Sequence, residues 1–120
     1  MSALAASAAS YAMGGYEVMV DGVIGPWFLA PWQAAARLHQ LDLRWVVLLP
    51  SEAETVARAT GRTHADALTD AEVVRSIWRG FLEGALPEAH VLETTGRGIE
   101  ETVDTVRRGL RDGRFRLESR

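Results

Sequence analysis

The run Trp45-Val46-Val47-Leu48-Leu49, stopped by Pro50, constrains the fold more than any other feature of the chain. Five consecutive apolar residues without alternation suit a strand covered on both faces, as in a parallel sheet. Ser51 and Glu54 follow directly, three apart, in the pattern of a capping box, which satisfies exposed amides at a helix start. The helix they open is predicted to run to about Thr60, where Gly61 ends it. A strand that turns at once into a helix is half of a crossover unit, and a parallel neighbour is expected elsewhere in the chain.

Two weaker runs fit that role, Tyr16–Val20 with a polar break at Glu17, and Ala89–Glu93. Helical patterns separate them. Ala3–Met13 is rich in alanine and stops at Gly14-Gly15. Pro26 and Pro31 bracket a short turn holding Trp27 and Phe28, and Pro31 suits the first turn of a helix marked by Ala34, Leu38 and Leu41. Thr69 and Glu72 form a second capping-box pattern ahead of the stripe Val73, Val74, Ile77, Trp78, Phe81 and Leu82. Ile99, Val103, Val106 and Leu110 mark a last amphipathic helix. Thr63–Leu68 and Thr94–Gly98 read as loops, and the tail from Arg114 to Arg120 as an edge strand or no element at all. Alternation of this kind predicts an α/β fold: one domain over residues 1–120, with a parallel three-layer sheet and flanking helices. Ligands in such sheets sit beyond the carboxyl ends of the strands, so the loops beginning at Asp21, Pro50 and Thr94 are the candidate functional loops.

Composition removes several classes of function. The 120 residues carry a net charge of -3, which argues against a nucleic-acid partner. All 13 basic residues are arginine, and there is no lysine. With no cysteine there is no disulfide, thiolate zinc site or thiol nucleophile. His39, His64 and His90 lie far apart without metal-ligand spacing. No apolar run approaches the ~18 residues of a membrane span, and the start of the chain lacks the features of a signal peptide, so the expected compartment is the cytoplasm.

Three segments, GGYEVMVDGVIGPWFLAPW, RWVVLLPSEAETVARATGR and HVLETTG, taken in order and spacing, resemble the later portion of P-loop small-molecule kinases related to chloramphenicol phosphotransferase and the zeta-toxin kinases. The resemblance runs from about Tyr11 to about Val106. It implies an ATP-dependent phosphotransferase acting on a small hydroxyl-bearing molecule, with ATP and magnesium as cofactors. That family holds the nucleotide phosphates with a loop of the form GxxxxGK[ST]; this sequence contains none, and without lysine it has no degenerate form either. The family's first two strands also have no counterpart here, so the chain reads as a truncated P-loop kinase fold, inactive alone. The alternatives are a non-catalytic remnant that binds a nucleotide or partner, and one that associates with itself or with a separate P-loop-bearing chain.

The resemblance also assigns residues. Asp21, at the end of the first expected strand, would orient a magnesium shell or accept a proton from the substrate hydroxyl; the plainer reading is a solvated aspartate that opens a turn. Trp27 would cover the acceptor substrate or, like Phe28, pack the start of a helix. Arg58 and Arg62, four apart before a lid at Gly61–Leu68, would clamp the transferring phosphate, Arg62 ahead of Arg58; either also suits a helix C-terminus by charge alone. Thr95 and Gly96 would lie against the adenine, or form an ordinary strand-to-helix turn.

Overall fold

The computed structural model describes residues 1–63, 69–84 and 86–117. The chain divides into two compact units, Met1–Trp45 together with the chain from Arg116 onward, and Val46–Phe115.

The first unit is built on two helices. Helix α1 spans Ser2–Met13 and helix α2 spans Leu29–His39. They pack through small surfaces: Ala5 and Ala9 are buried on α1, Trp32 and Ala36 on α2, each pair one turn apart. The expected face of α2 is therefore corrected. Ala34 is exposed and Leu38 is 75% exposed, because the stripe that meets the alanines of α1 runs through Trp32 and Ala36. The helix ends on Gln40 in the left-handed conformation, φ 54°. Pro26–Phe28 forms a single 3-10 turn before it. Trp45 is buried, and its indole donates to the Ile24 carbonyl at 3.0 Å. Arg44 and Arg116 form an antiparallel bridge, Leu117 N–H donates to the Leu43 carbonyl at 2.9 Å, and Asp42 accepts from both guanidinium groups. The hydrogen bond from Arg44 leads in holding the Asp42 carboxyl below its usual range, against a smaller opposing effect of burial.

The second unit holds strand β1, Val47–Leu48, helix α3, Glu52–Thr60, helix α4, Ala71–Glu83, strand β2, Val91–Leu92, and helix α5, Ile99–Arg111. The strands are parallel, with Val47 opposite Val91 and Leu48 opposite Leu92. Helix α3 begins as its sequence predicts: Ser51 Oγ accepts from the Glu54 amide at 3.2 Å. The cap of α4 shifts by one residue from Thr69 to Asp70, whose carboxylate accepts from the amides of Glu72 and Val73 at 3.0 and 3.2 Å. A carboxylate at this position also complements the positive end of the helix, which a threonine does not. Helices α3 and α4 pack on one another, with Ala59 and Val74 buried and the Trp78 indole donating to the Pro50 carbonyl at 2.9 Å. Phe115, fully buried, lies on Gly109 of α5; a Cβ at that glycine would meet the ring at 2.2 Å.

The sheet departs most from expectation. Among the described residues it has two strands of two residues each, so the parallel three-layer sheet of a truncated P-loop kinase fold is not formed. The run Trp45–Leu49 contributes only Val47 and Leu48, and Ala89–Glu93 only Val91 and Leu92, after a 3-10 turn at Glu88–His90. Tyr16–Val20 is not a strand. The Tyr16 amide turns back to the Tyr11 carbonyl at 3.2 Å, and among the described residues 17–20 make no backbone hydrogen bond. Tyr16, Val18 and Met19 are exposed, Met19 at 92%. An apolar run specifies a strand only when another backbone supplies its ladder, and among the described residues none does.

Candidate functional site

Because β1 and β2 are parallel, the segments leaving their carboxyl ends emerge on the same side of the second unit. One is Leu49-Pro50-Ser51, leading into α3; the other is Glu93–Gly98, leading into α5. Hydrogen bonds tie them together. The Ser51 amide donates to Thr95 Oγ1 at 2.8 Å. The Thr95 amide donates to Glu93 Oε1 at 2.6 Å, and the Thr95 hydroxyl donates to the same carboxylate. The Gly96 amide donates to Glu54 Oε2 at 3.0 Å, while the other oxygen of Glu54 pairs with Arg58. Gly96 has φ +70°, a conformation that a side chain would strain, so the turn presenting this amide depends on glycine.

Electrostatics follow from these bonds. The Thr95 hydroxyl, then the Thr95 amide, hold the Glu93 carboxyl below its usual range. Two carboxylates therefore occupy the loop amides. A phosphate site presents such amides to an incoming anion, together with cations. Here Glu54 and Glu93 already fill the Thr95 and Gly96 positions, and Glu54 engages the Arg58 guanidinium.

Of the residues singled out in the sequence, the structure brings together Arg58, Thr95 and Gly96, with Glu54 as the link. Arg62 is exposed just beyond α3, its amide bonded to the Ala59 carbonyl at 3.3 Å. Most of the expected lid, from His64 to Leu68, lies outside the described residues. Asp21 and Trp27 belong to the first unit. Asp21 is exposed on a segment that is not a strand. Trp27 is 47% exposed, beside Phe28 with ring centroids 5.9 Å apart, and its ring covers Gly25 so closely that a Cβ there would meet it at 2.3 Å. Sequence reasoning missed Glu93 and treated Glu54 only as a cap. The signal for Glu54 was present: its side chain was expected to return to the Ser51 amide, but that amide is taken by Thr95, which leaves the carboxylate for Gly96.

The chain matches no known protein-family description and no curated protein. Among the described residues no group of three or more His, Asp or Glu is placed to hold a metal ion, and no helix is long and apolar enough to cross a membrane. The loop expected to meet the nucleotide has the Thr95 and Gly96 amides engaged by carboxylates, and Asp21 stands on an exposed segment.

A concavity of about 510 Å³ lies along the outer side of β2, lined by Val91, Glu93, Arg97, Arg108 and Arg114 among others. Arg114 is committed there: its guanidinium donates to the backbone carbonyls of Ala89 at 2.8 Å and Val91 at 3.2 Å.

Proposed function

We propose that this chain is a non-catalytic assembly module, which works by joining its backbone to that of another chain. The observation that carries the reading is the segment Tyr16–Val20: strand-forming in composition, exposed from Tyr16 to Met19, and without a backbone hydrogen bond over residues 17–20 among the described residues. Bare apolar backbone of this kind is a template for pairing with a second polypeptide. Nucleotide binding is less well supported, because Glu54 and Glu93 already take the loop amides that an anionic ligand would use. Phosphotransfer by the chain alone is unsupported too. Stabilising a moving phosphoryl group needs preorganised amides and a lysine or its equivalent, and the sequence has neither lysine nor GxxxxGK[ST].

The test is the state of the chain in the cells that make it. A tagged copy should migrate in a complex larger than one chain, and within that complex Met19 should resist peroxide oxidation that modifies it in the denatured chain. A chain that is monomeric in the lysate, with Met19 as reactive there as in the denatured chain, would sink the reading. Purified chain supplied with magnesium, ATP and small alcohols should release no phosphate above a buffer control; clear turnover would restore the phosphotransferase.

A further inference from the structure

The assembly reading leaves open which surface receives the segment and whose segment it is. The backbone of the two-stranded sheet bears on the first question. Leu49 N–H donates to the Leu92 carbonyl at 2.9 Å, with Leu48 opposite Leu92. Since backbone groups alternate sides along a strand, Val47 and Leu49 turn theirs towards β2, and Val46 and Leu48 turn theirs away. On β2, Leu92 faces β1, while Val91 and Ala89 face outward.

The two outer edges differ. Along β2 the outward carbonyls of Ala89 and Val91 are both filled by the Arg114 guanidinium. A strand arriving there would have to displace a charged fork from two acceptors, and a charge on an edge is a common device for keeping other strands away. Along β1 nothing equivalent is present among the described residues. Leu48 is 51% exposed, and the open stretch ends at Pro50, which has no N–H and whose carbonyl is held by Trp78. The free edge is therefore Val46–Leu48, short and apolar.

We propose that this edge of β1 receives residues Tyr16–Val20 of a second copy of the chain, which add a third strand to the sheet. The inference rests on the assembly reading. The occupant is argued from what one molecule carries: an unpaired segment of strand composition in the first unit, and an unblocked strand edge in the second. At about 3.3 Å per residue, five residues reach roughly 17 Å, enough to run the length of Val46–Leu48 with a residue to spare at each end. Each copy has one donor segment and one acceptor edge, so a dimer is the smallest assembly in which exchanged segments satisfy both. Main-chain bonds supply the affinity in such additions, and the apolar side chains of Tyr16, Val18 and Met19 lose their exposure.

The chain has no cysteine, so introduced thiols report without background. Copies carrying Met19→Cys are mixed with copies carrying Leu48→Cys, the two distinguished by a mass tag, and oxidised mildly. The mixed disulfide should dominate over both like pairs, and light scattering of the unmodified protein should give the mass of a dimer. Val18→Pro and Met19→Pro are tested separately, since adjacent amides face opposite sides and one of the two must face β1. At least one should abolish the dimer while far-ultraviolet circular dichroism stays unchanged, because residues 16–20 form no strand in the single chain. Disulfides only between like positions, or a dimer that survives both prolines, would overturn the proposal. A purified chain that is monomeric while the same chain in lysate lies in a larger complex would overturn it too, but leave the assembly reading standing with a different partner.

Discussion

Glu54 holds two partners that sequence spacing alone does not connect, the Gly96 amide and the Arg58 guanidinium. The two bonds differ in weight. Gly96 is a turn amide whose carboxylate acceptor is about three-quarters buried, whereas Arg58 is half exposed and screened by water. Glu54→Ala should therefore cost about 1 kcal/mol, the net worth of a hydrogen bond to a protein acceptor. Arg58→Ala should cost at most about 0.5 kcal/mol, as exposed i,i+4 pairs do. Denaturant midpoints of the two variants check the order, and equal losses would mean that the ion pair, not the loop tether, is what Glu54 supplies. Glu93 adds a pH dependence. Its carboxyl is held below its ordinary value by Thr95, so the folded state favours the ionised form. That contribution is fully present above the ordinary glutamate value and is lost as pH falls through the lowered one. The stability gap between the native chain and Glu93→Gln should be largest near neutrality and close on acidification; a gap that widens in acid would contradict the assignment.

At the scale of elements, the helices and the places of two short parallel strands were legible, and the extent of the sheet was not. Helix α3 could be read from Ser51 and its Glu54 partner, and α4 from its apolar stripe, because both signals are local. Even the cap error at Thr69 amounted to one residue, since Asp70 offered a stronger acceptor. A strand is different: Tyr16–Val20 has the composition, but pairing is decided by a backbone distant in sequence, and no periodicity encodes it. The site divides the same way. Arg58, Thr95 and Gly96 do converge, but only through a carboxylate whose second role depends on how two loops meet. Helix α5 gives a sharper test of packing against propensity. Alanine is favoured over glycine in a helix by about 1 kcal/mol. At Gly109 the added methyl would lie 2.2 Å from the ring of Phe115, which is fully buried and has little room to retreat. Overpacking costs about 1–3 kcal/mol, so Gly109→Ala should lower the melting temperature rather than raise it. A thermal scan decides the sign.

At the scale of the molecule, the second unit is an insertion in the first. The chain leaves after Trp45 and returns at Arg116, and Arg44 and Arg116 are bridged partners, so exit and return lie about one strand spacing apart. Val46–Phe115 is 70 residues (115 − 46 + 1) with its own buried residues Val47, Ala59, Val74, Leu92 and Phe115. Expressed alone, it should retain the helical circular dichroism of α3, α4 and α5 and a cooperative thermal transition. A featureless coil spectrum would mean that the two units are one cooperative structure.

That bridge also sets an order of events during synthesis. Residues 1–45 leave the ribosome ahead of the second unit, yet the strand partner of Arg44 is encoded 72 positions later (116 − 44), after the whole of the inserted unit. Domains ordinarily fold from the amino terminus as they emerge. Here α1 and α2 can meet early, but Leu43, Arg44 and the guanidinium pair on Asp42 must wait for Arg116 and Leu117. Of the two units, the one whose synthesis begins earlier is completed later, and through that interval residues 17–20 are already outside the ribosome with no backbone partner among the described residues.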